Sequence, residues 1–161
     1  MRTLPARQSS GIAIVVHDQV PQGHKLHLIP DNMHWPVLRT GDWAVVDPDW
    51  TEIEFGQLYL VQQSRSSVIW QICEEPEERR ASRTEPDRPC AWMHPINRPR
   101  SRAELEQILA DNREMTPPGI ISRLPLYMSD GPIYLDALQD LIEGRVIGVY
   151  EGAALVAGGA S

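Results

Sequence analysis

The apolar residues of this chain come in short runs of about five to eight, each closed by Gly, Pro, Asp or Ser, and that spacing is too short for a helical bundle. Gly11-Ile12-Ala13-Ile14-Val15-Val16 reads as a buried strand, and residues 24 to 30 as a second extended stretch. A Gly41-Asp42 turn introduces Trp43 to Asp47, and Pro48-Asp49 ends it. Gly56 to Gln63, the polar Ser64-Arg65-Ser66 and Ser67 to Ile72 form a hairpin pattern. Glu143 to Tyr150 supplies a last strand. The fold expected is mainly β with minor α, an antiparallel, partly closed architecture with one or two short helices.

Between the hairpin and the last strand the pattern changes. Glu74 to Pro89 is rich in Glu, Arg and Pro, has almost nothing to bury, and is expected to be an exposed, mobile excursion. Pro89 to Asn97 reads as another strand. Ser101-Arg102-Ala103-Glu104 has the form of a capping box, in which Ser101 accepts from a backbone N–H and Glu104 reaches back. Leu105, Ile108 and Leu109 follow at helical spacing, so a helix is predicted over 102–113. Thr116-Pro117-Pro118-Gly119 ends it, residues 120–128 read as an irregular strand limited by Pro125, and Asp130-Gly131-Pro132 as a turn. Leu135, Leu138, Leu141 and Ile142 share one helical face, predicting a second short helix. The organisation expected is a flexible arm (1–10), one domain (11–150) with an inserted loop-helix region at about 74–130, and a disordered tail (151–161).

With 161 residues, of which 42% are apolar, the chain can bury a core without a disulfide or a metal. Its net charge of −7 argues against sequence-independent nucleic-acid binding, which needs Lys and Arg to neutralise phosphates. No apolar run reaches the length of a membrane span and the N-terminus lacks signal-peptide regions, so a cytoplasmic protein is expected. Cys73 and Cys90 lack metal-type spacing and read as ordinary thiols. His24 and His27 sit three apart, but strand alternation turns them to opposite faces; no metal and no cofactor are expected.

One stretch carries more than architecture. Asp31-Asn32-Met33-His34-Trp35-Pro36, followed by Arg39-Thr40-Gly41-Asp42 and an apolar strand, resembles the nucleophile segment of the LexA-like self-cleaving repressors and their signal-peptidase relatives. Asn32 stands where that family carries its catalytic serine. The family's general-base lysine lies on a later strand, whose counterpart here is Ser67-Val68-Ile69-Trp70-Gln71-Ile72, with Trp70 at or beside the lysine position. The only lysine, Lys25, lies upstream of the motif. Gly144-Arg145-Val146-Ile147-Gly148 is similar to the family's closing strand, so the resemblance covers residues 11–73 and 133–150. It implies a LexA/signal-peptidase-like fold in which both catalytic positions are degenerate, since an amide cannot be activated as a serine is.

The resemblance further implies that Pro36, Gly41 and Asp42 make the turn, and that a former substrate cleft at Asn32, Met33, His34, Trp35 and Trp70 binds an extended peptide as an added strand. It also implies a homodimer through the last strand. The family's helix-turn-helix is missing from the residues before the motif, which read as strand, and Ala157-Gly158 matches the type of dipeptide those repressors cut but lies at the opposite end. Of five tryptophans, Trp43 and Trp70 are expected in the core and Trp35 and Trp50 near the surface, where Trp often anchors a partner.

Three functions are therefore weighed. The first is a catalytically inactive LexA-like module for protein interaction or dimerisation, in bacterial or phage transcriptional regulation. The second is an active self-cleaving enzyme or peptide hydrolase using His34 or Ser67 with Lys25. The third is a nucleic-acid-associated regulator using arginines at 79, 80, 83, 88, 98, 100 and 102.

Overall fold

A computed structural model describes residues 7–9, 12–31, 33–35, 37–96, 102–103, 106–107, 110 and 129–152. Among these, nine strands form one sheet: β1 (Arg7–Ser9), β2 (Ile12–His17), β3 (Lys25–Leu28), β4 (Trp43–Asp47), β5 (Leu58–Gln63), β6 (Ser66–Glu74), β7 (Cys90–His94), β8 (Asp130–Tyr134) and β9 (Ile142–Tyr150). Two short helices, α1 (Glu77–Ala81) and α2 (Leu135–Gln139), accompany them. The spatial order is β1-β2-β9-β5-β6-β7-β8, with β4 joining β3 to β9. Neighbours are antiparallel except for the parallel pair β2 and β9, and the sheet does not close.

The centre of the sheet is β9. One edge pairs with β4, from Trp43 opposite Tyr150 to Asp47 opposite Arg145. The other pairs first with β5, from Val61 opposite Ile142 to Tyr59 opposite Arg145, and then end to end with β2, from Val15 opposite Gly148 to His17 opposite Tyr150. Strand β4 shifts register opposite Val146 and Gly148 and β5 opposite Ile142 and Gly144, so Gly144 lies at the second irregularity. A Cβ on it would come within 2.4 Å of the Asp47 carbonyl oxygen, and its φ of +152° is one that L side chains rarely adopt, so only glycine fits. With both edges of β9 occupied, a second copy cannot add a strand to it; pairing through the last strand would have to use a face of the sheet.

The core has two layers because β5 and β6 are covered on both sides. Leu58, Leu60 and Ile69 pack with Ile12, Ile14, Val16, Ala44 and Val149, while the alternating Tyr59, Val61, Trp70 and Ile72 pack with Met33, Met93 and Leu138. That is why Leu58-Tyr59-Leu60-Val61 is a continuous buried run rather than an alternating one. The Tyr59 hydroxyl, inside the second layer, donates to the Glu52 carbonyl and accepts from the Glu54 N–H, each at 2.8 Å.

Four expectations change. The arm contains β1, whose backbone pairs with β2 from Arg7 opposite Ile14 to Ser9 opposite Ile12; a partner strand supplies the order that its own polar pattern does not. Asp130-Gly131-Pro132 is not a turn but the start of β8, with a cis Gly131–Pro132 bond. The second helix ends at Gln139, and Leu141 and Ile142 lead into β9. The excursion after β6 holds α1 and is tied down by charge: Glu75, 7% exposed, receives Arg83 at 2.8 Å, and Arg88 donates to Asp136 at 2.9 Å. Arg102, Ala103, Glu106, Gln107 and Ala110 are helical and exposed; the rest of the helix expected over 102–113, the strand over 120–128 and the tail beyond 152 lie outside the described residues.

Candidate functional site

A cavity of about 190 Å³ opens between the end of β3 and the first half of β6. His27, Ile29, Pro30, Asp31, Met33 and His34 line one side, and Ser66, Ser67, Val68 and Ile69 the other. Ile29 is held by the turn that follows the motif: its N–H donates to the Asp42 carbonyl at 2.8 Å and its carbonyl accepts from Gly41 at 2.9 Å. Gly41 has φ +87°, and the Asp42 carboxylate accepts from the Arg39 N–H at 2.8 Å within this turn. Pro36 and Asn32 lie outside the described residues.

Strand parity shows which backbone groups face the cavity. Since both polar groups of Ile29 point toward the β4 side, those of His27 and Lys25 do too, and those of Leu26 and Leu28 point the other way. No other described strand pairs with that edge of β3. On β6, Ile72 points its N–H and carbonyl toward Gln57 and Gly56, on the β5 side, so Ser67, Ile69 and Gln71 face the opposite edge. Strand β7 takes that edge only from Gln71 onward, opposite His94. The cavity therefore lies between the end of β3 and the first half of β6, where Ser67 and Ile69 carry backbone groups that no other described strand pairs; on β3 the corresponding groups belong to Leu26 and Leu28, which are not part of the lining.

His34 holds these parts together. It is 3% exposed; Nε2 lies 2.8 Å from the Ile69 carbonyl and Nδ1 accepts from the Ile96 N–H at 3.2 Å. A nitrogen that accepts from N–H carries no proton, and one that meets a carbonyl must carry one, so these partners fix the neutral Nε2–H tautomer. Burial lowers its pKa to about 4, only partly opposed by the Ile69 carbonyl. With both nitrogens engaged, His34 has no lone pair to offer as a general base. The other ionisable groups are His27, whose pKa is lowered by burial against the field of Glu143, and Asp31, whose pKa burial raises despite the N–H it accepts from Met33 at 2.9 Å.

The residues expected at the cleft divide. Met33 and His34 line it. Trp35 is half-buried and not part of the lining, and Trp70, 8% exposed, lies in the second core layer with Met33 rather than at an entrance. The physical reason is position along β6: the lining ends at Ile69, and Trp70, one residue beyond, packs among Tyr59, Ile72 and Leu138. His27, Asp31, Ser66 and Ser67 belong to the lining as well, and only the hairpin register and the alternation of β3 foreshadow them. Lys25 is exposed on β3 opposite Val46 and does not line the cavity.

Elsewhere, the arginines of the excursion serve the chain itself. Arg83 pairs with Glu75, Arg88 with Asp136, Arg80 donates to the Pro86 carbonyl at 2.9 Å, and Arg79 lies 4.7 Å from the centre of the Trp92 ring. Arg102 pairs with Glu106 at 3.1 Å, while Arg98 and Arg100 lie outside the described residues. Trp43 is half-buried, and Trp50, 38% exposed, stacks under the Arg145 guanidinium at 3.8 Å. Among the described residues no cluster of His, Cys, Asp or Glu is arranged to hold a metal, Cys73 and Cys90 form no disulfide, and no helix is long and apolar enough to cross a membrane. Comparison with protein-family models, curated proteins and solved structures returns no match to this chain.

Proposed function

We propose that this chain is a catalytically silent LexA-like domain, a cytoplasmic protein-interaction module of bacterial or phage regulation, whose cleft takes up an extended peptide as an added strand. The observation that carries the reading is the cavity set between the end of β3 and the half-edge of β6 that no other described strand pairs. An extended segment entering there meets the backbone groups of Ser67 and the N–H of Ile69 along the β6 edge, which supplies affinity independent of sequence. The same geometry supports binding over hydrolysis: His34, although it shares the lining with Ser67, has both ring nitrogens engaged with backbone partners, and Lys25 stands outside the cavity. A homodimer, suggested by resemblance, is a secondary part of the proposal and would use a sheet face.

Fluorescence anisotropy with a library of fluorescein-labelled decapeptides tests it. Extended, strand-forming peptides are expected to bind, and N-methylation of alternate peptide nitrogens to abolish binding in one of the two registers, because each methyl removes a ladder donor. Absence of binding by every peptide, or full affinity in both N-methyl registers, overturns the reading.

A further inference from the structure

Among the described residues Asp31 is the one acidic side chain in the lining of the cleft, and its surroundings are unusual for a carboxylate. Its Oδ1 accepts the Met33 N–H at 2.9 Å, which closes the local turn. The rest of the lining is apolar apart from Ser66, Ser67, His34 and His27, whose pKa burial lowers, and no described Lys, Arg or His forms an ion pair with Asp31. His34, the closest histidine in sequence, is fixed neutral by its two backbone partners. A carboxylate in such a place is poorly hydrated and lacks a counter-charge, and burial accordingly raises its pKa.

The size of the cavity limits the occupant. At about 190 Å³ it is smaller than the roughly 300–1,000 Å³ of pockets that engulf a small molecule. It suits one side chain of a longer segment whose backbone lies along the strand edges. Apolar walls with a carboxylate and the hydroxyls of Ser66 and Ser67 favour a side chain with an aliphatic stem and a cationic, hydrogen-bonding tip.

Building on the peptide-binding reading above, we infer that the cleft selects segments carrying a Lys or Arg side chain, inserted between the β3 and β6 edges and paired with the Asp31 carboxylate. A charge-assisted hydrogen bond in a poorly solvated site discriminates by at least about tenfold against a neutral side chain of the same shape.

The probes are blocked decapeptides, N-acetylated and C-amidated, in which one residue is scanned along the chain as Lys or norleucine and as Arg or citrulline. The measurement is the ratio of Kd values within each neutral and cationic pair. At the favoured position the wild-type protein is expected to prefer the cation by at least about tenfold, still evident at 0.5 M salt, because buried pairs are screened less than surface charge. In Asp31→Asn, whose amide oxygen can still accept the Met33 N–H, the ratio is expected to fall to about one. Peptides that bind with no preference for the cation overturn this inference while leaving the peptide-binding reading in place. So does a preference that disappears with salt in the wild type or persists in Asp31→Asn, since the net charge of −7 would then explain it. No binding by any peptide overturns both.

Discussion

At the scale of single residues, His34 has the largest calculable consequence. Its side chain spans from the motif to the Ile69 carbonyl, 35 residues away, and to the Ile96 N–H, 62 residues away. Protonating Nδ1 breaks the second bond and buries a charge, so the folded pKa of about 4 lies below the 6.5 of the unfolded chain. A group with a depressed folded pKa gives its full stability above 6.5, and the fold loses it as pH falls toward 4. The difference corresponds to roughly 3 kcal/mol, on the order of a quarter to a half of what holds an average domain together. Urea denaturation from pH 7.5 to 4 is expected to show this loss in the wild type. His34→Ala, which leaves a buried carbonyl and N–H without partners, is expected to cost about 2–4 kcal/mol at pH 7 and to flatten the same pH interval. A His34→Ala variant with an unchanged slope between pH 6.5 and 4 would remove His34 from this role. None of this is visible in sequence, where His34 looks like a residue at a cleft entrance, because both partners are backbone groups supplied by distant strands.

At the scale of elements, strands with a strong apolar signature of their own were legible and those that depend on a partner were not. Strands β4, β5 and β9 lie where Trp43-Ala44-Val45-Val46, Leu58-Tyr59-Leu60-Val61 and Val146-Ile147-Gly148-Val149 announce them. Strands β1 and β8 carry polar residues or proline, and they form because β2 and β7 present edges to pair with. The excursion after β6 shows a third case, in which charge does the ordering. Glu75 and Arg83 have side chains only 3% and 14% exposed, so removing one leaves the other buried without compensation, at about 3–5 kcal/mol. The excursion can relieve that cost by opening locally without disturbing the sheet. Arg83→Ala is therefore expected to accelerate amide hydrogen exchange across residues 75–88 by roughly a hundredfold or more while β5 and β9 keep their protection. Equal acceleration throughout would show that the excursion and the sheet unfold as one unit.

At the scale of the whole molecule, the question is whether the peptidase resemblance marks ancestry of the cleft or only a similar way of turning a chain. The residues that carry it are distributed through the fold in a manner that a test can exploit. Met33 and Trp70 share the second core layer, so the segment next to Asn32 and the strand expected to bear a base converge, although the sequence had Trp70 at the cleft itself. An Asn32→Ser exchange alone introduces a nucleophile without a base. It is expected to leave the chain intact and to hydrolyse no bound peptide, as measured by mass spectrometry over days; cleavage by this single variant would overturn the degenerate-dyad reading. Adding Trp70→Lys places an amine among Met33, Tyr59 and Val61, where desolvation would depress its pKa toward the neutral form that a Ser/Lys pair uses. The exchange removes a large buried side chain and costs about 3–5 kcal/mol, so the double variant is best assayed in the cold and with its fold checked by the protection of β5 and β9. Peptide cleavage in the double variant, absent from both single ones, is the outcome expected if the cleft descends from a peptidase; an intact peptide from a folded double variant counts against that descent.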